Sequence, residues 1–72
     1  MSLHFLAVNL RRTRAERRRT QSEVAQAAGD GFTQQYVSAL ERGLQPSDPH
    51  HLKALAAALG VEESALTRRV RS

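Results

Sequence analysis

Apolar residues return every third or fourth position along most of the chain, and no segment alternates apolar with polar for long. That period is the signature of amphipathic helices, so the pattern predicts an all-α protein. Punctuation divides it into five segments. The first runs from about Leu3 to Arg18, with Leu6, Leu10, Thr13 and Arg17 along one stripe. The second opens with "TQSE", a capping box in which Thr20 and Glu23 satisfy two orphan N–H groups reciprocally, and it ends at Gly29. After the turn "GDGF", Thr33 caps a third helix from Gln34 to about Arg42, stopped by Gly43. Two short helices across a tight turn predict a helix-turn-helix unit. Asp48 and Pro49 start a fourth helix that carries Leu52, Leu55, Ala56 and Leu59 on one face and ends at Gly60. A fifth, from Glu62 or Glu63 to Val70, offers Leu66 and Val70 four residues apart.

Advancing the third helix by about 100° per residue separates two faces. Tyr36, Val37 and Leu40 form the core side, whereas Gln34, Gln35, Ser38, Ala39 and Arg42 lie opposite. Two adjacent glutamines in the first turn of a helix have two explanations. They are ordinary solvated helix formers, or they read base edges, since an amide offers the donor and acceptor that match N7 and N6 of adenine. Either Thr33 or Ala39 is suited to a thymine methyl group.

Composition shifts that balance. Eleven Lys and Arg stand against seven Asp and Glu, giving a net charge of +4, and six arginines crowd between Arg11 and Arg19. Arginine's planar fork suits phosphate better than an ammonium does, so an anionic partner is expected. A solvated basic face explains charge alone equally well. Seventy-two residues make a single domain spanning 1–72, and a chain of this size buries only about 60% of its unfolded surface, so a partner subunit would help its stability.

Four stretches in order, "LRRTR", "TQSEVAQAAG", "TQQYVSALERG" and "ALAAALGV", carry a family resemblance. From Leu10 to Val61 the chain resembles the helix-turn-helix domains of the lambdoid phage repressors and Cro proteins. This XRE-type group also includes restriction-modification controllers and many antitoxins. The resemblance implies a compact five-helix bundle of the lambda-repressor-like type, with the helix-turn-helix formed by helices 2 and 3. It implies base reading by Gln34 and Gln35 within a face that also holds Thr33, Ser38 and Ala39. It implies phosphate contacts by Gln21, which would also brace the reading helix, and a structural pair between Arg14 and Glu41.

Arg17 and Arg18 are expected to join Gln21 at phosphates. Arg42 either meets the sugar-phosphate backbone or lies free on the surface. The ring of Tyr36 is expected to pack while its hydroxyl reaches a phosphate, with pure core packing as the alternative. The chain departs from the family pattern in three places. The turn "GDGF" is two residues longer than usual, which bears on the docking angle; Arg18 and Arg19 replace a glycine and an apolar residue, so that Arg19 is expected to lay its stem across the core rim; and Pro46 comes slightly early.

Other chemistry finds little support. There is no cysteine, adjacent His50 and His51 diverge by about 100° on a helix, and no metal or cofactor is expected. No nucleophile, base and orienter can be placed in one pocket, so an enzyme is not expected. "LHFLAVNL" falls far below the ~20 apolar residues of a membrane span, and its charge follows rather than precedes it, so a cytoplasmic location is expected. The leading expectation is a transcription regulator that binds double-stranded DNA as a homodimer on a palindromic operator, with no membrane partner and no small-molecule ligand. The competing expectation is a protein-interaction module, such as an antitoxin or adaptor, with secondary DNA binding. Leu66 and Val70 would serve its docking or a dimer interface. An RNA binder is disfavoured because Phe5, Phe32 and Tyr36 are scattered.

Overall fold

Side-chain oxygens start each of the four longer helices. In the computed structural model, which describes residues 2–71, Ser2, Thr20, Thr33 and Asp48 each accept a hydrogen bond from a first-turn backbone N–H. The helices are α1 (Leu3–Glu16), α2 (Gln21–Ala28), α3 (Gln34–Glu41), α4 (Pro49–Leu59) and α5 (Ser64–Thr67). The capping box at Thr20 is complete, and Asp48 accepts from both His50 and His51 N–H groups. These bonds favour the ionised carboxylates and hold Glu23 and Asp48 below their ordinary pKa values.

Three helices end in the same way. Beyond α1, α3 and α4, a residue with positive φ lets its own N–H and that of the following residue turn back onto the last carbonyls. After α3 that residue is Gly43, and after α4 it is Gly60, but after α1 it is Arg18, with φ of 55°. Arg18 donates to the carbonyl of Ala15, and Arg19 to that of Arg14. The hydrogen-bonding pattern of the motif is therefore intact although its usual glycine is missing. An L-side chain in this conformation costs about 1–2 kcal/mol.

α1 packs on α3 and α5, while α2 packs on α3 and α4, so every helix touches a common core. Leu6 and Leu10 of α1 meet Val24, Val37, Leu40, Leu55 and Leu66, all essentially inaccessible to solvent. The turn between α2 and α3 is closed by a hydrogen bond from Phe32 N–H to the carbonyl of Gly29. Gly29 and Gly31 both have positive φ, which lets the longer turn fold back rather than protrude. Phe32 returns to the core edge, with its ring centroid 5.6 Å from that of Tyr36 and 4.8 Å from that of His51.

Periodicity misjudged the two ends of the bundle. α1 stops at Glu16 instead of Arg18 because the left-handed Arg18 breaks the ladder. α5 is a single turn, not a helix to Val70, because Arg68 is extended and Asn9 takes over the local carbonyls. Asn9 is wholly buried, and its Nδ2 donates to the carbonyls of Leu66 (3.2 Å) and Arg68 (2.8 Å). Leu66 was expected to be free for a dimer or docking contact. It is instead 0% exposed and fills the core, because the short α5 turns its apolar side onto α1. Val70 is half-buried. Arg19 was expected to cover the core rim but stays exposed, contributing its carbonyl instead of its stem. His51 is half-buried in the aromatic cluster.

Replacing Arg18 by glycine should relieve the strain, offset partly by a more flexible unfolded chain, for a net gain of up to about 1 kcal/mol. A rise in Tm of the purified variant would register it, and a fall would contradict the strain. The depressed carboxylates act in the other direction with acid. Their contribution is present above the ordinary carboxylate pKa and is lost as pH falls through the lower folded value. Asp48→Asn keeps the cap but not the charge, so its urea midpoint should match the parent near pH 7 and decline less below about pH 4.

Candidate nucleic-acid interface

α3 presents its first turn to solvent because its opposite side is consumed by the core. Val37, Leu40 and Glu41 are buried, whereas Thr33, Gln34 and Gln35 are exposed and Ser38 and Ala39 half-buried. The five residues expected to read bases thus form one continuous surface along α3. Thr33 is partly committed, since its hydroxyl accepts from Tyr36 N–H at 3.0 Å. Gln35 has no side-chain hydrogen bond among the described residues and is free to meet a ligand.

Gln34 is held. Its Nε2 donates to Oε1 of Gln21 at 2.6 Å, and Gln21 Nε2 in turn donates to Oε1 of Glu41 at 3.2 Å. Glu41 lies at the far end of the same helix, and its carboxylate accepts Arg14 Nε at 2.6 Å and Nη2 at 3.1 Å. Arg14 also donates Nη1 to the carbonyl of Arg19. The result is a relay of polar contacts from α1 through α3 and α2 to the exposed amide of Gln34. The bidentate bond to Glu41 raises the guanidinium pKa, against a smaller lowering by burial. Only 4% of the Glu41 side chain is exposed against 21% for Arg14, so the carboxylate depends on these partners for its solvation.

A concave surface gathers Arg14, Thr20, Gln21, Ser22 and Gln34, bringing the starts of α2 and α3 beside the end of α1. Arg17 and Arg18 are exposed at that end, and Arg42 is exposed beyond α3, its Nε 3.4 Å from the carbonyl of Ser38. Neither Arg17, Arg18 nor Arg42 forms an ion pair among the described residues. Exposed N–H donors at the start of α2, the positive end of its dipole and these free guanidiniums all favour an anion nearby.

Tyr36 is placed differently from its expected phosphate contact. Its hydroxyl lies 2.8 Å from Nδ1 of His51, within the cluster formed by Phe32, Tyr36 and His51. That bond ties α3 to the start of α4 and engages the hydroxyl within the protein. Sequence reasoning passed over Asn9 and weighed His51 only as a metal ligand. Asn9 carried a signal, because it is a polar residue next to Leu10 on the buried side of an apolar run. His51 carried none, because its partner comes from another helix.

No group of three or more metal-ligating side chains occurs among the described residues. Among the described residues, no helix is long and apolar enough to cross a membrane. Comparison with known proteins agrees with this geometry. The model of a family described as helix-turn-helix matches residues 10–66. The crystal structure of a hypothetical transcription factor, NHTF from Neisseria, superimposes with a TM-score of 0.83 at 33% identity, covering 93% of this chain and 75% of that one. No curated protein matches the chain.

Removing Arg14 would leave the Glu41 carboxylate buried with only the Gln21 amide. Arg14→Ala should therefore cost ~3 kcal/mol of stability in urea unfolding at neutral pH. A loss within a few tenths of a kcal/mol would show that the pair behaves as an ordinary surface ion pair.

Proposed function

The chain belongs to the helix-turn-helix family, among its XRE-type DNA-binding regulators, and we propose that it reads a specific duplex sequence through the first turn of α3 as a homodimer on a two-fold operator. One observation carries this reading: the exposed amide of Gln34 is oriented by a relay anchored on a buried ion pair. An amide with one N–H committed to Gln21 keeps its other N–H and its carbonyl oxygen for a ligand. Those two groups match N7 and N6 of adenine in the major groove. Gln35, beside it and unbonded, would meet the neighbouring base pair, with Ser38 and Ala39 farther along the helix. Arg17, Arg18, Arg42 and Gln21 would meet the flanking phosphates and hold α3 in register.

Two copies on a palindrome would place their reading helices in successive major grooves about 34 Å apart. Leu66 is consumed by the core and cannot make the contact between copies. Among the described residues, the large apolar side chains left exposed are Leu44 and Leu3, and Leu44 lies just beyond the glycine that ends α3. Burial of Leu66 also removes the anchor for a docking module built on α5, so the regulator is the better-supported reading.

Selection of bound sequences from a random duplex library tests this reading directly. A palindromic consensus with adenine at the reading positions is expected; recovery of no consensus would end it. On the selected sequence, Gln34→Ala or Gln35→Ala should cost roughly 1 to 3 kcal/mol and relax preference at one base pair. Arg17→Ala and Arg42→Ala should instead weaken all sequences together and reduce the salt slope by about 1 each. Equal losses on random and selected duplexes for the glutamine variants would contradict a reading role.

A further inference from the structure

α1 has two sides with different company. Ala7, Arg11 and Arg14 face α3 and the residues that follow it. Asn9, Arg12, Thr13 and Glu16 lie roughly 180° away on the helix and face α5 and the extended residues 68–71. On this far side Arg12, Arg68, Arg69 and Arg71 line a single open furrow with Thr13 and Glu16. Arg68 also borders a second furrow that it shares with Arg17, just beyond the end of α1, and with the residues between α4 and α5. Arginines therefore lead from Arg17, assigned above to a flanking phosphate, through Arg68 and around the edge of α1 to its far side.

All five are exposed, and none forms an ion pair among the described residues. Arg12 has one polar partner, the neutral Oδ1 of Asn9 at 2.7 Å, which leaves most of its fork free. Glu16 and Glu62 are the acids along the path, too few to neutralise it. The path is also built rather than loose. Asn9, wholly buried, grips the carbonyls of Leu66 and Arg68 and so fixes the segment that carries three of the arginines against α1. Like charges facing each other across a two-fold axis would repel, so a second copy is a poor occupant for this surface.

We infer that this arginine path is a second contact surface for the same duplex, holding the phosphates that flank the operator as the DNA leaves α3. Guanidinium forks match phosphate oxygens without reading sequence, so the path would add affinity and bend the flank toward the far side of α1 without changing specificity. The inference rests on the reading of α3 as the sequence-reading element.

Two probes test it: the selected core alone, about 20 base pairs, and the same core extended by about one helical turn of arbitrary sequence at each end. The wild type should bind the longer duplex more tightly and with a steeper dependence on salt. Three added phosphate contacts steepen the log–log slope by about 2.7, so a fourfold rise in salt should cost the longer duplex about 40-fold more affinity than the core. The triple variant Arg68→Gln, Arg69→Gln, Arg71→Gln should lose that difference while keeping its affinity for the core and its melting temperature. Equal affinities and slopes for the wild type on both probes would overturn the path, as would a triple variant that retains the difference. Binding that grows with length but shows no preference for the core over random sequence would instead overturn the reading role of α3 and leave the path standing. Absence of any duplex binding would overturn both.

Discussion

The carboxylate of Glu41 is the constraint on which the rest of this small protein depends. It sits at the buried end of α3, almost out of reach of water, and a charge so placed is tolerable only if the protein supplies its solvation. Arg14 from α1 and Gln21 from α2 supply it. Three helices are thereby fixed to one side chain, and the amide of Gln21 is turned so that its oxygen can receive Gln34. The same requirement that makes the core polar at one point orders the exposed amide of Gln34 on the surface. The packing of three helices and the placement of the Gln34 amide are coupled here through four side chains rather than through the apolar core alone.

A second device compensates for the longer turn between α2 and α3. Glycines with positive φ fold it back, and Phe32 then stacks against Tyr36 and His51. The hydroxyl of Tyr36 bonds to His51 and links α3 to the start of α4. The orientation of α3 is thus set at both ends: by the ion pair near Glu41 and by the aromatic cluster near its start. The close superposition on NHTF, at 33% identity, is consistent with a turn whose extra residues are absorbed locally.

Charge is divided along similar lines. Arg14 is spent on architecture, whereas most of the other arginines stay exposed and unpaired around it. The protein uses its acids sparingly for ordering: Glu23 and Asp48 in helix caps, Glu41 in the core. Positive potential is left on the surfaces that surround α3 and along the far side of α1. A strained Arg18 beyond the end of α1 fits this economy, since glycine there would ease the backbone but remove an exposed cation.

Much was legible in the sequence because it depends on local physics. Caps at Thr20, Thr33 and Asp48, stops at Gly43 and Gly60, and the two faces of α3 follow from residues within one or two turns of each other. They determined the helices, their order and the surface that Gln34 and Gln35 occupy. The family pattern added the partnership of Arg14 and Glu41, which separation of 27 residues hides from any local rule. Only the tertiary structure decided the remainder: that Leu66 serves the core, that Asn9 ends α5 early, that His51 takes the hydroxyl of Tyr36, and that arginines from both ends of the chain adjoin. Each of these is a contact between distant segments, and helical periodicity records which side of a helix is covered but not what covers it.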